Sequence, residues 1–186
     1  SVSLNGAITT VAVGSNQSGL RILTKGAPIS TTAGIALTGL IDFNNTVGLG
    51  VGTATLSEGI SLSGVLTSTS GDITLIGRSS GAQGISLSGV LTSASGDITL
   101  VGKSTGAQGI LTTGASLITA TTGNISLTGS GTSGGVNLLA ALSAGSGTKL
   151  RAITLVGNGT SGIGVTASTA ASLTATGSLT VTGFST

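Results

Sequence analysis

The chain has 186 residues, of which 34 are glycine and only 5% are charged; its formal net charge is +2, and it has no cysteine, histidine, methionine, tryptophan or tyrosine. That length suits one domain, and the missing cysteine removes disulfides and thiolate metal sites without fixing a compartment. The basic residues Arg21, Lys25, Arg78, Lys103, Lys149 and Arg151 are scattered, and the aromatics are Phe43 and Phe184 alone, which excludes the dense basic patch and stacking platforms of a nucleic-acid binder.

Gly, Ser or Thr interrupts every apolar run, so no stretch of about 18 apolar residues suggests insertion into a membrane as a helix. Glycine does not fall at every third residue, which excludes collagen, and the absence of heptads excludes a coiled coil. Regularly spaced Ile, Leu and Val argue against disorder.

The chain opens on Ser-Val-Ser-Leu-Asn-Gly, which has neither the basic nor the apolar region of a signal peptide and already reads as repeat sequence. The repeat is plainest at 59–83 and 84–108, two copies of 25 residues that differ only at Thr69/Ala94, Ile76/Val101, Arg78/Lys103 and Ser80/Thr105. Looser copies fill the remainder.

Each unit holds two strand cores and a further apolar position. The first core, Gly-Ile-x-Leu, falls at Ile35/Leu37, Ile60/Leu62, Ile85/Leu87, Ile110, Val136/Leu138 and Ile163/Val165, with an earlier candidate at Ile8. The second, of Ile-Thr-Leu type, falls at Ile22/Thr24, Val47/Leu49, Ile73/Leu75, Ile98/Leu100, Ile125/Leu127, Ile153/Leu155 and Leu179/Val181. Between them runs the column Leu40, Leu66, Leu91, Leu117, Leu142 and Leu173. Alternation of period two, rich in β-branched residues and punctuated by Gly and Ser-Gly, predicts short strands.

A fixed period near 25 with several short strands is the signature of a solenoid, in which each apolar residue is buried only by its equivalent one coil away. The expected fold is all-β: a right-handed parallel β-helix of about seven coils of 25–28 residues, ~34 Å long at ~4.8 Å per coil, with residues 1–186 as one domain. A left-handed helix would need a hexapeptide repeat, and a sandwich would need paired hairpin turns; neither is present. Repeat sequence at both ends leads to the expectation of a segment of a longer chain, or of subunits that associate end to end.

The period lengthens after residue 108, and extra residues are expected as loops near Thr121, at 144–148 and at 168–171. The candidate interaction residues are Asp42, Phe43, Asn44 and Asn45 in an early irregular stretch, where Phe43 is expected to be exposed, and Lys149 and Arg151 in a later one. Asp72 and Asp97 share a column with Asn124 and are read as turn residues that bond local backbone. Arg78 and Lys103 share another column, Gln83 and Gln108 are candidates for an amide ladder at a corner, and Thr74, Thr99, Ser126, Thr154 and Thr180 are expected to form an outward hydroxyl column.

Nothing here builds a catalytic or metal centre. The acidic inventory is Asp42, Glu58, Asp72 and Asp97, and no histidine serves as a base. Gly102-Lys103-Ser104 lacks the upstream glycine of a phosphate loop, and the calcium-binding nonapeptide is missing. No cofactor is expected.

The repeated Ser-Gly-x-Leu-Thr-Ser-x-Ser-Gly-Asp-Ile-Thr-Leu-x-Gly and the later Gly-Asn-Ile-Ser-Leu-Thr-Gly resemble filamentous-haemagglutinin-type repeats of bacterial two-partner-secretion exoproteins. The resemblance covers nearly the whole chain and implies a secreted, cell-surface β-helix forming the shaft of an adhesin, with a host-cell or glycan ligand; no residue role carries over. The function expected is a non-catalytic structural or adhesive shaft. A filament or sheath subunit is the alternative, and an ice- or glycan-binding solenoid a further one.

Overall fold

The computed structural model describes residues 58–186 except 115, 146–149 and 170, together with the backbone of six strands within residues 1–57. Those strands are Val2–Leu4, Ile8–Thr9, Leu20–Leu23, Ile29–Thr31, Ile35–Leu37 and Ile41–Asn44. The described residues form strands and turns without a helix, and every strand pairing is parallel. The strands fall into three seven-stranded sheets, and each sheet takes every third strand along the chain. This is a parallel β-solenoid, as the 25-residue period requires.

The two near-identical copies set the geometry. Ile60–Leu62 lies against Ile85–Leu87 in sheet 1, Val65–Ser68 against Val90–Ser93 in sheet 2, and Ile73–Ser79 against Ile98–Ser104 in sheet 3. Inward residues alternate with outward ones, as a pleated strand demands. Ile60, Leu62, Leu66, Ile73 and Leu75 fill the interior of one coil, and Ile85, Leu87, Leu91, Ile98 and Leu100 repeat them in the next, all buried. Each such side chain removes ~1.5–3 kcal/mol worth of apolar surface from water, but only because a neighbouring coil covers it.

The inward series in sheet 3 runs Ile73, Leu75, Gly77, Ser79, so the interior tapers to nothing along the strand. At Gly77 a Cβ would overlap the Gly84 carbonyl where the chain enters the next coil, and the same holds for Gly102 against Gly109, Gly129 against Gly135 and Gly157 against Gly164. Glycine is needed at these positions for close backbone approach. The serine that follows closes the turn: Ser79 Oγ accepts from Ala82 N at 3.0 Å and Ser104 Oγ accepts from Ala107 N at 2.8 Å. Another corner is closed the same way by Ser93, whose Oγ accepts from Gly96 N at 2.9 Å and donates to the Gly71 carbonyl at 3.1 Å.

The structure corrects several sequence assignments. Ile35/Leu37 belongs to sheet 2, where Ile35 pairs with Leu66, and Ile29 takes the place opposite Ile60; Ile8 likewise lies in sheet 2. In sheet 3, Ile41 and Phe43 stand opposite Ile73 and Leu75, and Ile22 stands opposite Phe43, one inward position later than expected. Thr24, Leu40, Val47 and Leu49 lie outside the described residues.

Further along, Ile118 and not Leu117 continues the Leu66–Leu91 column, with Ile118 fully buried and Leu117 40% exposed. Val165 pairs with Val136, which leaves Ile163 opposite Gly134 and 64% exposed. The extra residues expected near Thr121 occupy the connection at 113–116, before the sheet 2 strand Leu117–Ala120. Ser116 stitches that insertion down, its Oγ donating to the Leu87 carbonyl at 2.7 Å.

Candidate functional site

The irregular coil between the sheet 2 strand Ala141–Ala144 and the sheet 3 strand Ile153–Gly159 departs furthest from the repeat. Register fixes what the repeat would place there. Counting back from Ile73, Ile98, Ile125, Ile153 and Leu179, which share one column, the two preceding residues are Gly71-Asp72, Gly96-Asp97, Gly123-Asn124, Arg151-Ala152 and Gly177-Ser178. Four coils carry glycine followed by a residue with a side-chain oxygen. One carries arginine followed by alanine.

The Asx residues have a defined task. Asp72 Oδ1 accepts from Asp97 N at 2.8 Å, Asp97 Oδ1 accepts from Asn124 N at 2.7 Å, and Asn124 Oδ1 accepts from Ala152 N at 3.0 Å. Each side chain thus bonds the backbone of the next coil, where the sequence had suggested a local turn. Ala152 has no oxygen to pass on, and the ladder stops.

A depression of about 410 Å³ opens at this interruption, lined by Asn124, Leu150, Arg151, Ala152, Thr176, Gly177 and Ser178. Its wall carries hydroxyl and amide groups, while Leu150 is 78% exposed. Arg151 enters a column that is otherwise glycine, and Gly145 makes room for it: Gly145 has φ +89°, and a Cβ there would press on Arg151 Cβ and Cγ at 3.1 Å. The Arg151 backbone is held on both sides, its N–H by Thr176 Oγ1 at 3.1 Å and its carbonyl by Gly177 N at 2.8 Å. Its Nε is buried and has no hydrogen-bond partner among the described residues.

Of the residues singled out in the sequence, Arg151 therefore lies in this notch, and Lys149 and Asn45 lie outside the described residues. Asp42, Phe43 and Asn44 are part of the strand Ile41–Asn44, in register with Thr74, Leu75 and Ile76, so the expected loop is regular strand there. Phe43 stands opposite Leu75 in that register. Arg78 and Lys103 stack as expected and are exposed, and Gln83 Nε2 donates to Gln108 Oε1 at 3.3 Å. Among the described residues no group of three or more His, Cys, Asp or Glu could hold a metal.

The outward column Thr74, Thr99, Ser126, Thr154, Thr180 is present in sheet 3. Sheet 2 carries a second one that the sequence reading missed: Thr67, Thr92, Thr119, Ser143, Thr174. The signal was Val-Leu-Thr-Ser in both copies, obscured by the parity change at Leu117.

Comparison with known proteins finds no matching family model, no matching curated protein and no matching solved structure. The fold defines a parallel β-solenoid, and the resemblance to filamentous-haemagglutinin repeats stands on the repeat sequence alone.

Proposed function

We propose that the chain is a structural, adhesive shaft segment of a secreted bacterial surface protein, with no catalytic role. The observation that carries this reading is the uninterrupted stacking of like on like. In sheet 3, Ile73, Ile98, Ile125 and Ile153 lie in one buried column and Leu75, Leu100, Leu127 and Leu155 in another. The interior is occupied by the repeat's own side chains. Inter-coil backbone hydrogen bonds run along the rod, so load applied to one end is carried by every coil and the binding end is held at a distance.

The test is location. Antibodies against the chain should label the surface of intact source cells, and external protease should remove the label. Label that appears only after the cells are opened would end this reading.

A filament subunit is the second reading, and one observation favours it. Leu179 and Val181 continue the columns of Ile153 and Leu155 yet are 49% and 50% exposed, so another coil of the same pattern, from a second copy or from the same chain, would cover them. Sedimentation of the 186-residue chain decides between the two. Rods that lengthen with concentration support the filament, whereas a constant size supports the shaft.

A further inference from the structure

We propose that the notch at Arg151 binds the carboxylate of an acidic sugar. The repeat supplies glycine and an Asx residue at this place in the coils of Asp72, Asp97 and Asn124, and the coil of Arg151 replaces both. Ala152 removes the side chain that would fill the gap beside Ser178, and Arg151 brings a cation to the space so made. A scaffold alone has no use for the exchange, because it ends the hydrogen-bond ladder and buries Nε of Arg151 without a hydrogen-bond partner among the described residues, which is unfavourable.

The chemistry of the wall selects the ligand. Among the described residues no acceptor bonds Nε of Arg151, and a planar guanidinium matches a planar carboxylate. One such cation balances a single negative charge. Asp97, the nearer of the two acidic residues of the same ladder, stands two coils from Ala152, ~9.6 Å away, and its Oδ1 is taken by Asn124 N and Nδ2. Ser178 offers a hydroxyl to the hydroxyls of a sugar, and exposed Leu150 offers an apolar surface to the C–H face of its ring. The volume, about 410 Å³, falls within the ~300–1,000 Å³ range of small-molecule sites.

The experiment is a titration of the whole 186-residue chain, labelled with nitrogen-15, with tetragalacturonate and, separately, with the neutral galactose tetramer, at low salt. The amides of Asn124, Ala152 and Ser178 are expected to shift with the acidic tetramer alone, and less so as salt is added. Arg151→Gln is expected to weaken binding by about tenfold or more without lowering the melting temperature. Ala152→Asn, which refills the notch, is expected to block binding while melting no lower than the wild type. No shift at millimolar tetragalacturonate, an equal response to the neutral tetramer, or shifts that persist in Arg151→Gln would each overturn the proposal. The outcome is independent of the shaft reading, since a shaft can carry this notch or lack it.

Discussion

The Asp97 carboxylate reaches one coil along the rod and accepts the Asn124 backbone N–H at 2.7 Å. It repeats what Asp72 does for Asp97 and what Asn124 does for Ala152. Such a ladder ties successive coils together at a corner, beside the backbone bonds that the Asp97 and Asn124 carbonyls accept from Ile73 N and Ile98 N at 2.9 Å, and it ends at Ala152 for want of an oxygen. Ala152→Asn should extend it towards Ser178. One added hydrogen bond contributes about 1 kcal/mol, which for a chain of this size raises the melting temperature by ~2–4 °C. A differential scan of the variant checks this, and an unchanged or lower value would show that the ladder does not stabilise the stack.

Glycine columns set how closely the chain can pass itself. At Gly102 an added methyl would overlap the Gly109 carbonyl oxygen, whereas at Gly114 nothing lies within 4 Å of the same methyl. Gly102→Ala must push two backbone segments apart through the whole coil, at a cost of about 1–3 kcal/mol or more. Gly114→Ala should fall within ~0.5 kcal/mol of wild type. Urea unfolding of the pair reads the difference directly, and equal stabilities would contradict the tapered interior.

Ser93 is a buried polar group with both roles filled, donating to the Gly71 carbonyl and accepting from Gly96 N. Ser93→Ala removes one hydroxyl and strands two backbone groups, so it should cost about 1–3 kcal/mol. Ser95, which is exposed and donates only to the Thr69 carbonyl at 3.2 Å, should tolerate alanine within ~0.5 kcal/mol. Chemical denaturation of both variants, compared at equal slope, checks the contrast.

The sequence made the solenoid legible through its period, and the duplicated copies at 59–108 fixed their own register because nearly every residue has a counterpart 25 positions on. Before residue 59 the same logic slipped. Gly34-Ile35-Ala36-Leu37 matches the first-core motif, but a coil offers more than one Ile-x-Leu triad, and period-two alternation cannot say which sheet a triad joins. The notch was hidden for a related reason. Lys149 and Arg151 looked like loop cations, and only the alignment of Ile153 with Ile125 shows that Arg151-Ala152 stands where the preceding coils carry Gly-Asx.

Leu117 and Ile118 make the same point in a form that can be measured. Two adjacent apolar residues leave the parity of a strand undecided, and the insertion at 113–116 removes the equal spacing that would decide it. The structure turns Ile118 inward, fully buried beneath Leu91 and Leu142, and leaves Leu117 40% exposed. Ile118→Ala should therefore cost ~2–5 kcal/mol, and Ile118→Asp should unfold this part of the rod because a carboxylate would be buried without a partner. Leu117→Asp should be tolerated within ~0.5 kcal/mol. Circular dichroism melts of the three variants separate the alternatives. If Leu117→Asp unfolds the chain and Ile118→Asp does not, the sheet 2 register is shifted by one residue, and the Thr119 column turns to the interior with it.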